Sequence, residues 1–148
     1  MPRLRTAVWL VGAMLPAATV AQSANPPTLD CSLGFPGLQA AARALPSAQT
    51  GEEGGFDVVR LSVPDTWRVE YAFTTSWHPA YPAVTLRTFL KQVTGVWTAQ
   101  SKGCGYGDQG QFTALMADMK SGDKKLTDAS RAEVERGKQS LSPLAPTP

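Results

Sequence analysis

The segment from Trp67 to Thr74 constrains the fold more than any other, because its side chains alternate strictly in character. Large apolar residues occupy every second position, and polar or small residues stand between them. The apolar positions are Trp67, Val69, Tyr71 and Phe73. A period of two is the geometry of an extended strand with one face in the core. The segment therefore predicts a half-buried antiparallel strand.

The residues before this strand predict its nearest neighbours. Phe56 to Val63 is rich in β-branched side chains, which favour a second strand. Pro64-Asp65 separates the two strands and predicts a tight turn, because proline presets the backbone at the first central position. Farther upstream, Ser47 to Gly55 combines three glycines with two glutamates, and we interpret it as a flexible acidic loop.

Residues 84–101 carry two conflicting patterns. Their apolar residues fit one face of a helix that would end at Gly95. Their many β-branched and hydroxyl residues favour strands instead. We predict a hairpin, with a strand over 84–91, a turn over 92–95 and a strand over 96–101.

Three segments have helical features. Pro36 to Leu45 has apolar residues along one narrow face. Asp108 and Gln111 form a capping box that begins a second helix, and Gly122 is positioned to end it. The segment 127–139 is polar on nearly every face, so we expect little to hold it to the core. The apolar stripe of the second helix comprises Phe112, Leu115, Met116 and Met119.

These elements predict one α+β domain over residues 31–126. The expected architecture is an N-terminal helix, a four-stranded antiparallel meander sheet and a C-terminal helix packed on one face. An extended leader over 22–30 precedes the domain. The weak polar helix over 127–139 and a disordered, proline-rich tail over 140–148 follow it.

The first 21 residues have the features of a secretory signal peptide. Arg3 and Arg5 precede an uncharged apolar run, and small residues lead to a cleavage site after Ala21. A transmembrane anchor is the alternative, but the run is shorter than the roughly 20 residues that span a bilayer. We therefore expect a periplasmic or secreted protein with no membrane span after processing.

Cleavage would remove both excess positive charges. Of 14 basic residues, Arg3 and Arg5 lie in the signal peptide, which leaves 12 basic and 12 acidic residues in the mature chain. A neutral chain with scattered charges has no footprint for nucleic acid or an anionic membrane. The mature length suits one domain that can bury a core as a monomer.

Two cysteines, Cys31 and Cys104, lie in the mature chain. An even pair in an exported protein predicts a disulfide. The alternative is two free thiols, with Cys104 as a reactive group.

The sequence from Gly105 to Gly110 matches G-x-G-x-x-G, the pattern of dinucleotide-binding loops. The preceding strand is predicted in an antiparallel hairpin rather than a βαβ unit, and Asp108 places a negative charge where a phosphate would bind. We interpret the segment as a tight loop whose glycines relieve backbone strain beside Cys104. We therefore predict no cofactor.

His78 is the one histidine of the chain and its weak catalytic candidate. A hydrolase would pair it with a Ser or Thr nucleophile and an orienting acid, and Thr75, Ser76 and Ser101 are candidates by type. One histidine and two bonded cysteines do not form a tetrahedral metal site, so we predict no metal. We interpret His78 as a loop residue that packs its ring and bonds to the backbone.

The loop around His78 also contains aromatic residues that we expect at the surface. Two prolines, Pro79 and Pro82, exclude a regular strand there, and Trp77 and Tyr81 lie beside them. Trp67, Tyr71 and Phe73 are expected in the core. Large rings on a proline-braced loop are typical of binding surfaces. We therefore assign Trp77, Tyr81 and His78 as candidate binding residues for a protein or envelope component, with the hydrolase as the alternative function.

Two runs of this sequence carry a family resemblance. They are His78-Pro79-Ala80-Tyr81-Pro82-Ala83-Val84 with Arg87 downstream, and Gly103-Cys104-Gly105-Tyr106-Gly107-Asp108 before the last strong helix. Together they resemble small exported bacterial proteins that have no assigned activity. The resemblance favours strands over residues 84–101 and implies no reaction, cofactor or catalytic residue.

Processing gives the first prediction. The protein recovered from the periplasm or the medium is expected to have an intact mass that begins at Gln22, because the small residues before that position fit the signal peptidase. A membrane-embedded product that begins at Met1 would contradict this assignment, and a product lipidated at Cys31 would contradict a soluble mature form.

Overall fold

The computed structural model describes residues 25–141. The predicted signal peptide and the start of the leader (1–24) and most of the predicted tail (142–148) lie outside the described residues. Within that range the chain forms an α+β fold with one antiparallel sheet, whose five strands follow one another in sequence order. The elements are a 3₁₀ turn Cys31–Leu33, α1 Gly34–Arg43, β1 Gln49–Glu53, β2 Phe56–Val63, β3 Trp67–Thr74, β4 Ala83–Lys91, β5 Trp97–Gly105 and α2 Gln109–Ser140.

The predicted central strands are confirmed. β2 and β3 have the predicted bounds, and Pro64 lies in the turn that joins them. The hairpin of β4 and β5 is also confirmed, with Gln92 N donating to Val96 O over 2.8 Å across its turn. This hydrogen bond closes a three-residue loop over 93–95. Gly95, at the end of that loop, has a φ of 85°, the left-handed conformation typical of such loops. β5 runs four residues beyond its predicted end.

The prediction of four strands was wrong, because residues 49–53 form an edge strand instead of a loop. β1 pairs with β2 through a two-residue turn at Gly54 and Gly55, whose φ angles are 56° and 85°. Positive φ at both positions is typical of the type I′ turn that joins hairpin strands. The pair of glycines was thus a hairpin signal. β1 itself gave none, because all five of its residues are exposed and none is apolar.

The prediction of two C-terminal helices was also wrong, because α2 is continuous from Gln109 to Ser140. Asp108 caps its start as predicted, with its carboxylate accepting from Gln111 N over 2.8 Å. Gly122 does not end the helix. A Cβ at Gly122 would lie 2.8 Å from Arg87 Nη2, so this glycine allows the helix to approach the sheet closely.

The main core lies between α1 and one face of the sheet. Leu38 and Ala42 on α1, the predicted apolar face, are buried against it. The alternation in β3 holds, because all four of its apolar side chains are buried on this face. The buried cluster comprises Leu38, Ala42, Val59, Trp67, Val69, Tyr71, Phe73, Val84, Leu86 and Cys104.

Helix α2 packs along β5, on the opposite face and over the outer edge of the sheet. Near its start, Phe112 and Met116 lie against the glycines of β5. Farther along, the hydroxyls of Thr127 and Ser130 accept hydrogen bonds from the backbone N–H groups of Ala99 and Trp97, each over 2.9 Å. The polar segment 127–139 is therefore held to the sheet, which corrects the expectation that little would hold it.

A polar clamp fixes the middle of α2. Arg87 Nε donates to Asp123 Oδ1 over 2.8 Å, and Arg87 Nη2 donates to Met119 O over 3.1 Å. Ser101 Oγ donates to the same carboxylate oxygen over 2.8 Å. Among the residues of α2, all of which the structure describes, Asp123 alone is buried. The predicted stripe residue Leu115 is half-buried, so the centre of this contact is ionic rather than apolar.

The predicted disulfide between Cys31 and Cys104 is present, with a Cα–Cα distance of 5.5 Å. It joins the 3₁₀ turn before α1 to the last strand, across 73 positions of sequence. Residues 26–30 before it have no helix or strand, as predicted for the leader, and Leu29 packs against the core. In the chain-entropy model, closing a loop of this length stabilises the folded protein by about 4 kcal/mol, because the crosslink lowers the entropy of the unfolded chain.

The close approach of α2 to β5 gives the second prediction. In Gly105→Ala the new Cβ would lie 2.5 Å from Phe112 Cγ, so the variant should lose about 1–3 kcal/mol of unfolding free energy through overpacking. Gly137→Ala is the matched control on α2. It meets no atom within 4 Å and should gain up to about 1 kcal/mol of helix propensity. Urea denaturation measures both, and a Gly105→Ala variant as stable as the parent would contradict this packing.

The clamp gives the third prediction. Arg87→Met leaves the Asp123 carboxylate nearly buried without its counter-ion, which should cost about 3–5 kcal/mol of unfolding free energy. The double variant Arg87→Met, Asp123→Leu removes both charges and should be more stable than Arg87→Met alone. Denaturant unfolding of the full double-mutant cycle tests this. Additive losses in the double variant would show that the two side chains do not interact.

Candidate functional site

The loop 75–82 between β3 and β4 contains the predicted site residues and is fixed at several points. Thr75 donates to Gly55 O through both its backbone N–H and its hydroxyl, each over 3.0 Å. Within the loop, His78 N donates to Thr75 O over 3.0 Å and Tyr81 N donates to His78 O over 2.9 Å. The Tyr81–Pro82 peptide bond is cis. The four hydrogen bonds of Thr75, His78 and Tyr81 hold the loop in one shape, so its exposed side chains have little backbone freedom.

His78 is built into this loop. Its Nδ1 accepts a hydrogen bond from Ala80 N over 3.1 Å, and its ring centroid lies 4.8 Å from that of Phe56. A neutral imidazole that accepts at Nδ1 carries its proton on Nε2. In this arrangement neither nitrogen is a free acceptor, whereas a general base needs one.

Within residues 25–141, none of the three candidate nucleophiles has a side-chain hydrogen bond to the His78 ring. Thr75 donates its hydroxyl to Gly55, and Ser101 donates its hydroxyl to Asp123 on the α2 side of the sheet. Ser76 is exposed in the loop. Within residues 25–141, no hydrogen bond or ion pair joins His78 to a carboxylate, so the described geometry contains no orienting acid for a triad.

Trp77 and Tyr81 differ in how far they are exposed. The Trp77 side chain is 93% exposed. Tyr81 is 43% exposed, and its ring makes an edge-to-face contact with Phe35 at a centroid distance of 5.6 Å. Trp77 therefore has the larger apolar surface available for a partner, while Tyr81 is anchored on α1.

Two further exposed apolar residues lie at the same end of the sheet. Tyr106 donates its hydroxyl to Cys31 O over 2.8 Å, and its backbone N–H donates to Pro82 O over 2.9 Å. Leu33 lies two residues after Cys31 and is half exposed. Burial first, and the charge of Asp30 second, raise the pKa of Tyr106, so its hydroxyl stays a donor at neutral pH. We call Leu33, Trp77, Tyr81 and Tyr106 the aromatic end.

Sequence reasoning missed Tyr106 and Leu33 as members of this surface. Each follows a cysteine by two positions, and the disulfide brings those cysteines together. The predicted pairing of Cys31 with Cys104 was therefore the signal that would have placed them side by side.

The glycine-rich segment serves packing instead of phosphate binding. Gly105 ends a strand of an antiparallel meander, which is not the βαβ setting of dinucleotide sites. Neither Gly105 nor Gly107 has a positive φ, so the expectation that they relieve backbone strain was wrong. A Cβ on Gly107 would collide with Tyr81 O, and a Cβ on Gly105 would collide with Phe112. Both positions need glycine for space.

The described part of the chain contains no cluster of three or more His, Cys, Asp or Glu residues that could hold a metal ion. Within residues 25–141, no helix combines the length and apolar character that crossing a bilayer requires. No protein-family model, curated protein or solved structure matches the chain.

Proposed function

We propose that this protein is an exported, non-enzymatic binding module that recognises a protein or another envelope component through its aromatic end. The observation that carries the proposal is Trp77, whose large ring is almost fully exposed on a loop that is otherwise fixed by hydrogen bonds. Grouped apolar residues on a surface are typical of interaction sites, and Trp77 is the most exposed member of the aromatic end.

The loop geometry favours binding because the ordering cost is already met on folding. Immobilising a flexible side chain or loop at an interface costs free energy, and a fixed loop avoids much of that cost. The bonds of Thr75 and His78 fix the backbone on either side of Trp77. A partner that covers Trp77 would therefore gain the burial of its ring with little loss of backbone entropy.

The surface around Trp77 extends the contact. Tyr81, Tyr106 and Leu33 add apolar area on neighbouring elements, and aromatic residues are enriched at the centres of interfaces. A stable protein interface buries about 800 Å² per partner, so this set supplies a central cluster and needs a polar rim around it. The disulfide Cys31–Cys104 lies beside the cluster and supports an oxidising compartment.

The fourth prediction tests this surface in cells that produce the protein. A photo-crosslinking amino acid replaces Trp77 in one variant and Val93 in another, because Val93 is fully exposed in the β4–β5 turn at the opposite end of the sheet. A specific adduct is expected from position 77 and not from position 93. Equal adducts from both positions, or none from position 77, would contradict the proposal.

The interaction itself is measured with the identified adduct partner. Trp77→Ala should weaken its binding at least about tenfold, as expected for a central aromatic residue, while Val93→Ala should not. Both variants should keep the parental unfolding free energy within about 0.5 kcal/mol, because neither side chain is packed. Turnover of an ester, peptide or glycan substrate that disappears in a folded His78→Ala variant would establish the hydrolase instead.

A further inference from the structure

A second candidate site lies on the sheet face opposite α1, where α2 leaves β2 and β3 uncovered. Arg68 on β3 lies over two aromatic rings of this face. Its Cζ atom is 4.8 Å from the ring centroid of Phe89 on β4 and 4.8 Å from that of Trp97 on β5. The three residues come from adjacent strands, so the sheet register sets their spacing. Two cation–π contacts hold the guanidinium in place.

The charge of Arg68 is not neutralised by a neighbouring carboxylate. Of the three arginines on the strands, Arg60 bonds Glu53 and Glu70, and Arg87 bonds Asp123. Within residues 25–141, the Arg68 side chain has no hydrogen bond or ion pair, and its guanidinium contacts the two rings. The N–H donors at the edge of its guanidinium are therefore available to an outside acceptor.

Arg68 faces a cleft of about 320 Å³ that contains further donors. Gln49, Ser62 and Arg60 line it, together with Glu70, whose carboxylate is paired with Arg60. Phe89 supplies its apolar wall on this face of the sheet. The volume of the cleft is at the lower end of the range for small-molecule sites.

The local charge balance selects the kind of anion. Arg60 and Arg68 contribute two positive charges, and Glu53 and Glu70 contribute two negative charges that both lie on Arg60. A dianionic phosphate would be repelled by these carboxylates more strongly than a monoanion. A planar carboxylate also matches the fork of a guanidinium, which can donate two parallel hydrogen bonds to it.

We propose that this cleft binds a carboxylate carried on a small apolar body, with Arg68 as the cation that donates hydrogen bonds to it. The carboxylate lies against the guanidinium edge, and the apolar body lies against Phe89. A free carboxylic acid and the C-terminus of a peptide share this chemistry. The site is independent of the aromatic end, because Arg68 lies near the start of β3 and Trp77 follows the end of that strand.

The test follows the Arg68 Nε–Hε resonance by NMR at pH 7 while ligand is added to the mature, disulfide-bonded protein. N-acetyl-leucine is expected to shift this resonance saturably, and N-acetyl-leucinamide, which lacks the carboxylate, is not. An acetylated tripeptide that ends in leucine distinguishes the two sources: tighter binding than N-acetyl-leucine assigns a peptide C-terminus, and weaker binding assigns a free acid. Either result supports the site.

Matched variants assign the binding to Arg68. For these, the affinity for N-acetyl-leucine is measured by calorimetry. Arg68→Gln should lower it about tenfold, as expected for loss of a charged hydrogen-bonding partner. Arg68→Lys should also weaken it, because lysine keeps the charge but not the planar fork. Lys102→Gln on β5 removes one positive charge, as Arg68→Gln does, and has nothing else in common with that variant. It should therefore leave the affinity within about twofold.

Three outcomes would overturn the proposal. One is equal loss of affinity in Arg68→Gln and Lys102→Gln, which would show a general charge effect. Another is saturable binding of inorganic phosphate without binding of N-acetyl-leucine. The third is no saturable binding of N-acetyl-leucine to the parent protein. Circular dichroism of Arg68→Gln confirms that any loss occurs in a folded chain.

Discussion

The ion pair between Arg87 and Asp123 is the interaction on which the second layer of this fold depends. It lies at the middle of the contact between α2 and the sheet, where Ser101 and Met119 O complete its hydrogen bonds. A buried ion pair adds little net stability over an apolar contact, but it strongly penalises any position of the helix that separates its partners. Apolar packing on one side of the pair and hydroxyl bonds on the other then follow from this fixed position.

The same helix explains how the two edges of the sheet differ. Thr127 and Ser130 accept from two N–H groups at the start of β5, those of Ala99 and Trp97, so α2 covers this part of the edge and blocks a further strand there. The β1 edge has no neighbouring strand in the described sheet. It is short and carries Glu52 and Glu53, and short, charged edge strands resist pairing with other chains. One edge is thus protected by coverage and the other by charge.

Side-chain pattern predicted the elements whose buried faces are apolar and missed those whose contacts are polar. The strand at Trp67 to Thr74 was readable because its core face alternates with small or polar residues. The sheet-facing positions of α2 are spaced four, three and four residues apart, and this spacing repeats once. They are Phe112, Met116, Met119, Asp123, Thr127, Ser130 and Val134. The stripe is apolar as far as Met119 and becomes polar at Asp123, although the same helical spacing continues. The sequence pattern therefore predicted two helices where the structure has one.

A candidate site residue could be predicted where the neighbouring sequence alone determines whether its side chain is exposed. Trp77 was identified because its loop contains prolines that exclude a strand, and exposure follows from that local fact. Arg68 was placed on the outward face of β3 by the same alternation, but its significance depends on Phe89 and Trp97, which lie one and two strands away. The Arg68 guanidinium lies over these two rings and has no ion pair within the described residues, since Glu53 and Glu70 bond Arg60. The positive charge is thereby kept at the surface in a fixed position, which is the condition under which a single arginine can select a ligand by geometry as well as by charge.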